Sequence, residues 1–177
     1  MGRRRQKRPV DRRRAREGSA AIEFAMVALP FFFMMFAVLE LALVFVIDSV
    51  MENATIETGR LVRTGQADAQ NFNATTFRSN LCNRMSIFSG DCASKVTIDV
   101  RRIPQFSNPN VPDPLSGASF DPNAAAYDGG GPGDIMLVRA WYRHTLLTPF
   151  LAQGLSKLND GKAYLTATTA FRNEPYD

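Results

Sequence analysis

The sequence predicts an α+β protein: a long N-terminal transmembrane helix continuing into a small extracytoplasmic domain with a short antiparallel sheet. Three features carry that expectation. An apolar run extends from Ser19 to Ile47, a strongly basic stretch precedes it, and three strand-like segments follow in the C-terminal two thirds.

The first seventeen residues, MGRRRQKRPVDRRRARE, hold nine basic side chains against two acidic ones, a local charge of +7 in a chain whose formal net charge is +4. The rest of the chain is therefore net acidic. Such a run suits a nucleic-acid-binding arm, a surface for acidic lipid, or the cytoplasmic flank of a membrane span. The apolar segment that follows selects the third reading, so no nucleic-acid partner is expected and residues 1–18 are placed in the cytoplasm.

Residues 19–47 read SAAIEFAMVALPFFFMMFAVLELALVFVI, and Met26 to Leu39 carries no charge. A span needs roughly 20 mostly apolar residues. A buried helix of a soluble protein is the alternative, but so small a remaining domain is poorly suited to covering this many Phe and Met side chains. A cleaved secretory signal would have an apolar core of roughly 7–15 residues closed by a small-residue cleavage site. This run is longer, and no AxA-like site ends it. Pro30 removes a backbone donor and predicts a kink, which membrane helices tolerate. Glu23 at the entrance of the run and Glu40 deeper in it are intramembrane acidic residues. Each requires protonation, a polar partner or an interfacial position, and both suit association with other membrane helices.

Residues 48–64, DSVMENATIETGRLVRT, keep a helical period with Val50, Ala54, Leu61 and Val62 near one side. They are expected to continue the helix outside the membrane until Gly65 stops it. The α+β domain, residues 65–177, opens with a helix expected over Ala69 to Met85. Lys95 to Ile103 alternates apolar Val96, Ile98 and Val100 with Thr97, Asp99 and Arg101, a strand with one buried face. Residues 104–133, rich in Pro, Gly and Asn, are expected to form an exposed or mobile loop. Ile135 and Leu137 begin a second strand that runs past Trp141. Pro149 starts a short helix with Phe150, Leu151, Leu155 and Leu158 as its apolar face. Ala163 to Phe171 forms the last strand.

Chemistry is sparse. Cys82 and Cys92 fall in the part expected outside the cytoplasm, where a disulfide is the favoured reading and two free thiols the alternative. His144 is the sole histidine, so a zinc site lacks ligands. No nucleotide-binding or metalloprotease motif is present, and GGGPG has no following helix to cradle a phosphate. The expectation is therefore no enzyme, no catalytic residues, no cofactor and no metal.

The string REGSAAIEFAMVALPFFFMMFAVLE, Arg16 to Glu40, resembles the N-terminus of TadE-like proteins, pseudopilin-like components of the bacterial tight-adherence (Tad, or Flp) pilus assembly system. The shared pattern is a basic leader, a Gly, a Glu-Phe pair, and an apolar helix with a Pro and a second Glu. The closing TTAFRNEPY also resembles the end of many such chains. The resemblance implies cleavage by a prepilin peptidase after Gly18, leaving Ser19 as the first mature residue and Glu23 as the fifth. It also implies other Tad/Flp pilus-assembly proteins or pseudopilins as partners. The chain would sit in the bacterial inner membrane, in contact with lipid, with its C-terminal domain periplasmic and incorporation into a pilus left open. Cleavage would create a positive amine about one helical turn from the Glu23 carboxylate, and either group can pair with its opposite on a neighbouring subunit. Two features depart from a major pilin: Phe24 follows Glu23 where the major Flp-type pattern has Tyr, and the external domain is large. The chain thus resembles the minor class. A membrane-anchored binding or adaptor module unrelated to pili is the alternative, with an anchored enzyme third.

Overall fold

The computed structural model describes residues 12–107 and 109–176, with side chains from Gly18 onward. The expected basic leader lies outside the described residues over positions 1–11. The chain divides into two compact units, Met1–Leu39 and Glu40–Asp177.

Helix α1, Arg12–Arg63, continues through Pro30. In the first unit every large apolar side chain from Ile22 to Leu39 is exposed. Among the described residues, Gly18–Arg63 is the helix long and apolar enough to cross a membrane.

Within the second unit α1 changes character. Glu40, Val44, Ile47, Met51, Thr55, Thr58 and Val62 are buried, a stripe at spacings of three and four that marks one helix face. The two threonines enter the core because their hydroxyls donate to Met51 O (2.8 Å) and Ala54 O (2.7 Å) one turn back. Gly59 lets the helix approach the sheet closely. A Cβ there would stand 3.0 Å from Phe171 Cε1. Gly65, with φ +74, ends the helix as its sequence predicts.

The helix expected over Ala69 to Met85 is two: α2, Gln66–Ala69, and α3, Ala74–Arg84. Asn71 adopts a left-handed φ of 51, and the Asn73 side chain accepts the Thr76 amide as an N-cap, so the two asparagines break and restart the helix. A 3-10 turn, Ser86–Phe88, and helix α4, Ser89–Lys95, follow. Cys82 on α3 and Cys92 on α4 form a disulfide, with Cα atoms 5.5 Å apart.

Strands β1 (Val96–Arg102), β2 (Ile135–Thr145) and β3 (Lys162–Arg172) form an antiparallel sheet in the order β1-β2-β3. The register places Ile98, Ala140 and Ala167 abreast, and Val100, Val138 and Thr169 abreast. This face packs on the α1 stripe and on Phe77 and Leu81 of α3.

The opposite face is covered as well, contrary to the expectation of a single buried face. The segment between β1 and β2 packs across it rather than projecting as an exposed loop. Phe120 stacks on Tyr164 at 5.0 Å and meets Trp141 edge-on at 6.1 Å. Tyr127 forms a parallel bridge with Val100: the Val100 amide donates to Ala126 O (2.8 Å) and the Asp128 amide to Val100 O (2.7 Å). The segment thereby satisfies part of the outer edge of β1, which would otherwise present unpaired backbone groups.

Helix α5, Pro149–Leu155, forms where Pro149 predicts it, but none of its residues is buried. Of the expected apolar face only Leu158, beyond the helix end, is buried.

Candidate functional site

Two acidic residues on α1 have different environments. Glu23 lies in the exposed first unit. Serine four residues before a glutamate places both side chains on one helix face, and the Ser19 hydroxyl donates to Glu23 Oε1 at 3.2 Å. Gly18 has nothing within 4 Å of where a Cβ would lie, and Phe24 is 72% exposed. Among the described residues, those expected to mark processing therefore form an open, single-helix arrangement with no enclosing pocket. Such a surface can accept another chain, and Glu23 is available to an opposite charge.

Glu40 is 8% exposed and its carboxylate is satisfied within the chain. The backbone amide of Leu147 donates to Oε1 and that of Thr148 to Oε2 (2.8 Å). The turn between β2 and α5 thus presents two successive N–H groups to one carboxylate, a charge-assisted arrangement. The polar partner that Glu40 was expected to require is supplied within the chain by these two amides. A signal for it was present in the sequence, since Glu40 precedes Val44 by four residues on the buried stripe.

Nearby, Tyr142, His144, Leu43, Ile47 and Lys95 line a shallow groove. Burial pushes the His144 imidazole below its ordinary value near 6.5, with Lys95 acting in the same direction and Glu40 against it. Burial likewise raises the Tyr127 phenol to about 12, assisted by Asp68 and Asp128, so it stays neutral.

Sequence reasoning missed a second polar constellation. Asp99, fully buried, faces Arg139 directly across the β1–β2 ladder. Arg139 donates from Nε (3.0 Å) and Nη2 (2.7 Å) to Oδ2, and Arg101 Nε donates to both carboxylate oxygens at 2.9 and 3.0 Å. The Ala126 amide adds 2.8 Å to Oδ1. The arginines then reach the covering segment, Arg101 to Ala124 O (2.7 Å) and Arg139 to Pro112 O (2.8 Å). This network fastens the segment to the sheet. Its enclosure by backbone gives it a structural role.

The structure therefore unites Ser19 with Glu23 and Cys82 with Cys92, and it assigns Glu40 to the second unit. The family model described as TadE-like protein matches residues 18–60. No curated protein and no solved structure matches the chain. The match begins at Gly18 and includes both Glu23 and Glu40. Over residues 18–60, its N-terminal helix, the chain is thus similar to TadE-like proteins.

Proposed function

We infer that this protein has a role associated with Tad pili and acts as a minor, pseudopilin-like structural component of their biogenesis. The observation carrying this reading is an exposed apolar helix headed by Ser19 and Glu23, coincident with the TadE-like match that starts at Gly18. An apolar helix with no cover among the described residues is suited to lipid and to neighbouring helices. A prepilin peptidase releases Ser19, whose amine and the Glu23 carboxylate then pair across subunits and set registry. The second unit stays in the periplasm and makes protein contacts, without catalysis. The helix serves as a single-pass anchor in the inner membrane, cytoplasmic at its N-terminus.

The test is complementation in a Tad-positive host lacking this chain. Wild-type protein restores piliation, whereas Glu23→Ala, inserted in the membrane at equal level, restores little. Normal piliation by Glu23→Ala rejects the registry role. The match ends at residue 60, leaving the sheet unmatched, which favours an adaptor unrelated to pili as the second reading. Normal piliation in the absence of the chain would support that one.

A further inference from the structure

Three exposed apolar groups surround the place where α1 enters the second unit. Leu147, whose amide is bonded to Glu40, is 86% exposed, and Phe150, in the first turn of α5, is 68% exposed. Ile87, in the 3-10 turn between the bridged cysteines, is 83% exposed and shares a groove with Leu43, which lies three residues after Glu40. Helix α5, PFLAQGL, carries no charge and buries none of its residues. Leu151 and Leu155 are half-buried, but the exposure of Phe150 on this uncharged helix is not explained by the core of this unit.

We propose that Leu147, Phe150 and Ile87 form a collar that seats the second unit in the headgroup boundary of the lipid bilayer, at the level of Glu40. The occupant follows from the chain itself. Glu40 is covalently joined to Leu39, the last residue of the stretch, beginning near Ser19, in which every large apolar side chain is exposed; beyond it Leu43, Phe45 and Val46 stay exposed while Val44 and Ile47 are buried. That run has about 20 residues and, at roughly 1.5 Å per residue, a length of about 30 Å, which matches the hydrocarbon core of a bilayer. On this proposal the hydrocarbon-spanning part is residues 19–39, the first part of the apolar run 19–47, with Glu40 at its outer limit. An amphipathic surface at that depth buries its apolar groups about 5–10 Å into the boundary between headgroups and acyl chains. The Glu40 clamp fixes the turn carrying Leu147 beside Glu40.

This inference rests on the membrane-anchor reading, and the experiment separates the two. The full chain is reconstituted in phosphatidylcholine vesicles containing lipids brominated either near the headgroup or near the chain end. Leu147→Trp, Phe150→Trp and, in the middle of the span, Leu29→Trp are compared with unsubstituted protein, whose Trp141 is buried and supplies the background. All three substituted positions are exposed, so the fold tolerates the change. The expected result is a blue shift and loss of emission for Leu147→Trp and Phe150→Trp, greatest with bromine near the headgroup, and for Leu29→Trp greatest with deep bromine. Quenching of Leu29→Trp alone would overturn the collar and leave the anchor standing. A blue shift at position 147 that is lost on dilution and insensitive to bromine would assign the face to a second copy and overturn the lipid assignment. No quenching at position 29 would reject the anchor and the collar together.

Discussion

Replacing Asp99 with alanine removes the carboxylate that ties the segment between β1 and β2 to the sheet. The side chain is fully buried, and its partners Arg101 and Arg139 have side chains only 18% and 10% exposed. Deleting one member of a buried ion pair costs about 3–5 kcal/mol, because the remaining charge is left uncompensated. Arg139 is the more enclosed of the two and dominates that cost. Arg101 has more access to water, which places the expected loss toward the lower end of the range. Asp99→Asn keeps an acceptor for the Ala126 amide but not the charge, and falls between wild type and alanine. Urea unfolding followed by fluorescence reads the effect directly, since Trp141 lies under the Arg139 guanidinium at 4.9 Å and beside Phe120 of the covering segment. Chymotryptic cleavage after Phe120 should accelerate in parallel as the segment opens. Unfolding of Asp99→Ala within about 0.5 kcal/mol of wild type, the range of ordinary surface substitutions, would refute the fastening role.

Glu40→Ala leaves the buried Thr148 amide without its acceptor and should cost about 1–3 kcal/mol, with faster proteolysis around Leu147; unchanged stability and protection would contradict the clamp. The Cys82–Cys92 bridge closes a short loop, and its reduction should lower stability by about 2–4 kcal/mol. Without reductant, alkylation should add no mass, and labelling of two thiols in protein kept under oxidising conditions would contradict the bridge. The depressed His144 value has a definite sign. Above the unfolded-state value near 6.5 both states are neutral at this site and it confers no pH dependence. As pH falls from there through the lower folded-state value, the unfolded chain takes up the proton first, and stability declines. His144→Gln should flatten that decline in urea midpoints measured between neutral and mildly acidic pH; an identical slope in the variant would count against it.

The long helix and all three strands were legible because their signals are local. The exposed run of α1 is a matter of length and apolarity, while β1 shows period-two alternation and β3 is rich in β-branched and aromatic residues. Gly65 was readable as a stop for the same reason. The covered second face was not legible. Thr97, Asp99 and Arg101 look like the solvent side of a strand, and only tertiary structure brings Arg139 and a Pro/Gly-rich segment over them. That segment lacks periodicity, so its packing depends on scattered residues such as Phe120 and Tyr127, with hydrogen bonds from its backbone. Helix α5 failed in the opposite direction: apolar spacing around Phe150 predicted burial, yet spacing does not specify which apolar face meets the core. Glu40 lay between these cases. Its place on the stripe could be read, but its partners were 107 and 108 residues away. At the candidate site, Ser19 and Glu23 were visible as an i,i+4 pair, the shortest-range relation a helix offers.

On the proposed function, Ser19 heads that helix once the leader is removed. Coexpression with a Tad prepilin peptidase, followed by intact-mass measurement and N-terminal sequencing, tests it most directly. The account predicts a mature chain beginning at Ser19, with Glu23 fifth, and loss of this processing in Gly18→Ala. Retention of Met1–Gly18, while the same peptidase cleaves a control pilin, would contradict it.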